Sequence, residues 1–339
     1  MNAIRFLRSV SIASALALVQ CSGGSSERSP ISAIPQNPSG PALRNMSLGG
    51  CTCSAYPDGT LAVWESASNH IYLYKGPISA SSTPSATITT PTLNGDAQGG
   101  MTFDPSGNLW VSYFDTDATP AAREILKYAA PVTTGETPSA TISGSNTGLS
   151  VPSGISYNQT TSKIYVLDPV AGKIDVWPST SSGNVAPSAT ISSSHIGSAG
   201  IKTDASYIYI TDATKGVDQF NLSASGSTSP NETFLTTAQR YWLDFDVEGN
   251  LYTNSSESIA RFLYEDSWTN FTSFGAGSSS SPTVAVDDAG YIYVGDLSHI
   301  YIYNYSGSSP IVTLTVGSNI SIVDTALYSP GRFNSAAPQ

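Results

Sequence analysis

The pentapeptide PSATI stands at residues 84–88, at 138–142 and again at 187–191. A string that recurs at intervals of 54 and 49 residues means that the chain builds one structural unit several times. Repetition at this period restricts the fold to solenoids, propellers or arrays.

The unit is visible when the segments SAYPDGTLAVWE, MTFDPSGNLWVSYFD, ISYNQTTSKIYVLD, IKTDASYIYITD, LDFDVEGNLYTN and VAVDDAGYIYVGD are aligned. Each reads as an apolar strand, a tight Asp/Asn/Gly turn and a second β-branched and aromatic strand, which is the pattern of a β-hairpin. A third strand follows in HIYLY, EILKY, KIDVW, GVDQF, SIARF and HIYIY, closing on Tyr74, Tyr128, Trp177, Phe220, Phe262 and Tyr303. PSATI then opens a fourth strand, with later counterparts in PNETF at 230–234 and PIVTL at 310–314 and a blurred copy near FTSF at 271–274.

Four strands every forty to fifty residues is the period of a propeller blade. Helical repeats would show a 3.6-residue period, and a parallel β-helix would repeat in shorter coils. The expected fold is therefore all-β: a six-bladed β-propeller over residues 49–316 with four antiparallel strands per blade. Circular closure is required because a lone sheet shields neither of its faces. SNISIVDTALYSPG at 318–331 starts like another inner strand. It can pair with the first blade as a clasp or pack across a face, and the residues 317–339 end in a loose tail.

The first 21 residues read as an export signal. Arg5 and Arg8 precede a short apolar stretch, Ile12 to Val19, and then Leu18-Val19-Gln20-Cys21. The ending resembles a bacterial lipobox, with Gln20 where a small residue is usual; that resemblance implies lipidation at Cys21 and a protein of the cell envelope, ordinary secretion being the other reading. Residues 22–48, rich in Ser, Pro and Gly, read as a flexible tether. Cys51 and Cys53 would share one face of a strand about 7 Å apart, at the limit for a disulfide, so packed thiols and a strained bridge both stand. The net charge of -11 argues against nucleic acid, whose binders concentrate Lys and Arg.

VPSGISYNQTTSKIYVLD…KIDVW, SPTVAVDDAGYIYVGD…IYIY and GGMTFDPSGNLWVSYFD resemble the NHL-type repeat and the six-bladed propellers grouped with gluconolactonase, SMP-30 and virginiamycin B lyase. The resemblance covers residues 49–316 and speaks for the fold, since many activities share this scaffold. The lyase-like family implies a histidine-rich catalytic cluster, but His70, His195 and His299 fall in separate blades. The lactonase-like family implies a divalent metal at the ring centre held by carboxylates and amides, including a first-blade Glu; Glu65 follows a second strand rather than opening an inner one.

Three groups of residues stand out. Glu65, Asp115, Asp168, Asp212, Asn254 and Asp296 end the second strands on the channel face. Asp115, Asp168, Asp212 and Asp296 are candidate Ca²⁺ ligands, and capping of the following turn is the competing role. Asp104, Asn158, Asp204, Asp246 and Asp287 read as Asx-turn residues on the opposite face. The third group departs from the repeat: Tyr113, Asp115, Asp117 and Arg123 in the enlarged loop at 112–124, Arg240, Tyr241, Trp242 and Asp244 before and in the fifth inner strand, and His195 in SSSHIGSAG. Aromatic rings beside Arg suit stacking on a ligand. No nucleophile elbow, HExxH helix or phosphate loop is present. The expected function is a binding module for a protein, glycan or small molecule at the channel face, touching the membrane only through its N-terminal lipid. A Ca²⁺-dependent lactonase-like hydrolase and a structural envelope component are the alternatives.

Overall fold

The computed structural model describes residues 59–328 apart from 66–68, 91–97, 116–120, 198–199, 213–215, 236–239, 256–257, 265–270, 276–281, 306–308 and 318–321. The export signal with Cys21, the tether, Cys51, Cys53 and Asp117 lie outside the described residues.

Each blade is an antiparallel four-stranded sheet, to which blade 3 adds a short parallel strand, Gly226–Ser227, at its outer edge. From the innermost strand outwards, blade 2 runs Gln98–Phe103, Leu109–Asp115, Ala122–Tyr128 and Ala140–Ser143. Blade 3 runs Ile155–Asn158, Lys163–Asp168, Lys173–Pro178 and Ala189–Ser192. Blade 4 runs Ile201–Thr203, Tyr207–Asp212, Gly216–Asn221 and Glu232–Phe234. Blade 5 comprises Leu243–Phe245, Leu251–Ser255, Ser258–Phe262 and Phe271–Gly275. Blade 6 comprises Thr283–Val286, Ile292–Asp296, His299–Tyr303 and Val312–Thr315.

Blade 1 is built differently. Its second to fourth strands are Thr60–Glu65, His70–Lys75 and Ala86–Thr89, and its innermost strand is Ile322–Tyr328 from the far end of the chain. The pairing runs antiparallel from Thr60 against Tyr328 to Glu65 against Ile322, with one irregularity between Trp64 and Glu65. The segment whose place the sequence left open is thus the clasp. The ring takes in residues beyond the repeats at 49–316, and the first inner strand is not the neighbour of its hairpin partner in sequence.

The six innermost strands touch in cyclic order, the first meeting the sixth, so the molecule is a six-bladed β-propeller. Packing explains why it closes. Six apolar clusters fill the six joints between neighbouring blades. Trp110, Ile142, Ile164 and Trp177 lie in the joint of blades 2 and 3, and Tyr252, Val284 and Tyr303 in that of blades 5 and 6. Successive residues of the clasp serve two joints: Ala326 faces the joint between blades 1 and 2, Leu327 that between blades 6 and 1. Sheets covered on both sides need apolar residues on both faces of a strand, and all seven residues of Leu109–Asp115 are buried.

The repeated pentapeptide has a definite task. Proline lacks an N–H and so suits the start of an edge strand. The serine that follows grips the third strand twice, through its N–H and its hydroxyl: Ser85 on Leu73 O, Ser139 on Lys127 O and Ser188 on Val176 O. The isoleucines Ile88, Ile142 and Ile191 are fully buried. The outer edge receives a loop from the next blade. Gly135 donates its N–H to Thr87 O, Gly183 to Thr141 O, and Gly226 pairs in parallel with Ile191. These three glycines adopt φ of 74°, 79° and 72°, in the left-handed region where a side chain is unfavourable. An edge that would otherwise invite a foreign strand is covered in blades 1 to 3.

The first-turn aspartates act as the sequence implies. Asp104 accepts the N–H groups of Ser106 and Asn108, Asp246 those of Glu248 and Asn250, and Asp287 those of Ala289 and Tyr291. Each also accepts from the aromatic residue six positions on: Trp110, Tyr252 or Tyr293.

Candidate functional site

The innermost strands surround a narrow central cavity of about 300 Å³, open solvent at its mouth included, whose walls include Met101, Ile155, Lys202, Trp242, Asp324 and Thr325. Without that open solvent the space between the side chains holds little more than one water molecule. Around it, polar links cross every joint. Asp324 accepts the N–H of Met101 at 2.6 Å between blades 1 and 2, and Ser112 donates to Ser153 O between blades 2 and 3. Ser156 and Thr203 hydroxyls meet at 3.1 Å between blades 3 and 4. Lys202 Nζ lies 3.4 Å from Asp244 between blades 4 and 5. Asp244 also accepts the N–H of Val286 at 2.9 Å between blades 5 and 6, and Thr325 donates to Thr283 at 3.1 Å between blades 6 and 1.

Asp244, a sequence candidate, therefore lies in the ring centre, where it bridges three blades. Asp324 and Lys202 share its site and were not foreseen. Burial raises the Asp324 pKa to about 7, the charge of Asp244 adding to the shift while Lys202 and the N–H groups of Met101 and Thr325 oppose it. Two aspartates and one lysine thus form a shared charge network at the centre of the ring.

Three of the residues ending the second strands, Asp168, Asn254 and Asp115, are engaged by nearby donors. Asp168 is fully buried and accepts the N–H groups of Ser150, Val151 and Ala171 at 2.6, 3.0 and 3.2 Å, which ties down the loop entering its own inner strand and the turn after it. Asn254 does the same in blade 5 for Tyr241 and Trp242 at 2.7 and 2.9 Å. Asp115 accepts from the Tyr113 hydroxyl at 3.2 Å. Tyr113 is buried, and burial foremost, then Asp115, pushes its pKa well above the ordinary range. Among the described residues, Asp115, Asp168, Asp212 and Asp296 form no common set of ligand atoms; the grouping within 4.8 Å is His195, Asp212 and Asp218. Of the proposed Ca²⁺ ligands only Asp212 belongs to it. The physical reason is visible at Asp168, whose oxygens are occupied by backbone donors.

The loop candidates are largely structural in their contacts. Arg123 donates to Ser150 O at 2.7 Å and lies 5.8 Å from the Phe114 ring centre, joining blade 2 to the approach to blade 3. Arg240 is buried, donates to Asn254 O at 3.0 Å and faces Phe262 at 5.4 Å; burial lowers its pKa. Tyr241 is half-buried, and Trp242, also half-buried, lines the cavity while packing on the cluster between blades 5 and 6.

His195 is the candidate with a partner that the sequence reading missed. Its Nδ1 lies 3.1 Å from Asp218, which is fully buried on the third strand of blade 4. The signal was present: GVDQF carries a carboxylate in the middle of an otherwise buried strand, as KIDVW does at Asp175, also fully buried.

No family model matches the sequence, and no curated protein matches it. Among solved structures, the chain is similar to one titled "Crystal structure of Nidogen/Laminin Complex", with a TM-score of 0.61 and 13% identity, covering 80% of this chain and 99% of that one. At that identity the likeness establishes the propeller fold.

Proposed function

We propose that the chain is an exported propeller, tethered through lipid at Cys21 and related to the NHL and SMP-30-like repeats, that binds a protein partner on its channel face. The observation that carries this reading is a pair of apolar side chains exposed on that face. Val170 is 70% exposed and Leu297 44%, and both occupy loops joining second to third strands, in blades 3 and 6, on opposite sides of a six-membered ring. Burial of these two side chains against a partner would remove their apolar surface from water. The structure to which the chain is similar is that of a nidogen/laminin complex, in keeping with such a role. The carboxylates of Asp168 and Asp244 and the Asn254 amide oxygen accept backbone N–H groups, which favours binding over a metal-dependent hydrolase at the ring centre.

The test uses the purified full-length chain as bait in an envelope extract of the producing cell. Wild type is compared with the Val170→Asp/Leu297→Asp double variant and with Ile311→Asp, an exposed position just before the outer strand of blade 6. A stoichiometric partner lost only from the double variant supports the reading. Equal capture by all three sinks it, as does chelator-sensitive hydrolysis of a lactone panel by the wild type. Cell fractionation of Cys21→Ser tests the anchor: the variant moves from the membrane pellet to the soluble fraction, and an unchanged distribution refutes lipidation.

A further inference from the structure

The strongest departure from the repeat lies at the channel-face end of blade 4. Asp218 is the counterpart of Asp175 in blade 3. Both are fully buried on third strands, and both accept a hydroxyl from the outer strand, Thr190 for Asp175 at 2.7 Å and Thr233 for Asp218 at 2.5 Å. Their second oxygens differ. Asp175 lies 2.7 Å from the ammonium of Lys173. In blade 4 the position of Lys173 is Gly216, with φ 107°, where an added Cβ would come within 2.3 Å of Phe234 O. The adjacent Lys215 lies outside the described residues. The place of the ammonium is taken by the His195 imidazole, at 3.1 Å.

A second carboxylate reaches the same point. Asp218 pairs across the hairpin with Ile210, and Asp212 stands two residues beyond Ile210, so both acids share one face as diagonal neighbours. One ligand atom from each of His195, Asp212 and Asp218 lies within 4.8 Å of the others. We propose that His195, Asp212 and Asp218 bind a divalent zinc-like cation, through one imidazole nitrogen and two carboxylates.

The chemistry fits a transition metal better than calcium. An ammonium has no lone pair to give, whereas imidazole does, and mixed nitrogen and carboxylate donors suit Zn²⁺ or Mn²⁺ while Ca²⁺ prefers oxygen throughout. Donors at about 2.0–2.2 Å from a tetrahedral zinc stand about 3.3 Å apart. Closing the set therefore asks for movement of about 1.5 Å at most. The Thr233 hydroxyl orients the Asp218 carboxylate as an outer partner does in metal centres. Burial foremost, and the Asp212 charge, raise the Asp218 pKa against the opposing effects of Thr233 and His195, and a cation would relieve the repulsion. The His195 side chain is 24% exposed, which leaves an open side for the metal and a water. The site is independent of the channel-face binding reading.

The test is calorimetric titration of the chelator-stripped full chain with ZnCl₂ and, separately, CaCl₂. The expected result is one equivalent of Zn²⁺ bound far more tightly than Ca²⁺. His195→Ala and Asp218→Asn should each lose at least tenfold in affinity, and Thr233→Val 10–100-fold. His195→Ala changes a partly exposed loop residue, and a circular dichroism melt confirms that it folds. Absence of stoichiometric Zn²⁺ binding overturns the proposal. So does undiminished binding by the folded His195→Ala, the result expected if Cys51 and Cys53 took the metal instead, and so does Ca²⁺ binding as tight as Zn²⁺.

Discussion

If the clasp closes the ring, a single truncation within it should loosen a joint between blades that are distant in sequence. Leu327 is 7% exposed and packs with Leu61, Val63 and Tyr74 of blade 1 and with Tyr293 and Ile300 of blade 6. Leu327→Ala removes a buried isobutyl group from a cluster whose other walls are rigid strands. Such a change costs about 2–5 kcal/mol, because the cavity only partly collapses. At about 2–4 °C per kcal/mol for a domain approaching this size, the midpoint should fall by roughly 4–20 °C. Ile311→Ala, at a position 44% exposed, is the control and should stay within about 0.5 kcal/mol of wild type. Ending the chain at Gly317 is the stronger perturbation. It leaves Thr60–Glu65 without the strand that faces it and Met101 N–H without the Asp324 carboxylate. Thermal melts followed by far-ultraviolet circular dichroism read both. A peptide of residues 318–331 added to the shortened chain should restore part of the lost transition. The reasoning is refuted if Leu327→Ala melts with Ile311→Ala, or if the shortened chain keeps the wild-type midpoint.

Two further outcomes follow from buried carboxylates. The folded pKa of Asp324, about 7, lies above its ordinary 3.8, so its contribution to stability is full below about pH 4 and lost as the pH rises to about 7. Unfolding free energies of the wild type from urea titrations should decline across that window more steeply than those of Asp324→Asn, by up to about 1.4 kcal/mol per pH unit; parallel profiles would contradict the assignment. Asp287, whose pKa burial raises to about 6, acts in the same direction in both proteins and cancels in the comparison. Asp168→Ala strands three backbone donors at a cost of about 1–3 kcal/mol for each one left unsatisfied. Its melt should fall well below wild type, with Asp168→Asn in between, and an unchanged melt for Asp168→Ala would show that those bonds carry no weight.

The fold was legible because propeller blades are made from local hairpins. An Asp that holds its own turn, as Asp246 does for Glu248 and Asn250, and a β-branched strand beside it are written within a dozen residues. The clasp was legible as a strand but not in its place, since pairing Thr60 with Tyr328 is a long-range contact that no nearby residue announces. The contacts of the candidate side chains were hidden for a related reason. Arg240, Asn254 and Asp168 look like displayed functional groups in the sequence, but a loop entering an inner strand must satisfy its own N–H groups, which Asn254 and Asp168 accept, and Arg240 is spent as a donor to Asn254 O. Conversely, Asp218 and Asp324 carry no turn signal; only their position within buried strands marks them, and what they face comes from other strands or another blade.

The repeat itself points to where specificity can arise. A blade needs its apolar joints, its turn aspartates and its covered edge, and residues with those duties are held by packing on both sides. Each joint is also crossed by a polar link, and the links differ: hydroxyl to hydroxyl at Ser156 and Thr203, ammonium to carboxylate at Lys202 and Asp244, carboxylate to backbone at Asp324 and Met101. Nothing in the repeat dictates these choices, because any donor and acceptor of suitable reach would close the joint. The same latitude appears within single blades, where Asp175 is met by an ammonium and Asp218 by an imidazole. The ammonium of Lys173 offers charge and N–H donors, one of them to Gly148 O, while the imidazole also offers a lone pair. A change that is neutral for folding can therefore alter chemistry, and in a scaffold shared by many activities such positions are where one chain comes to differ from another.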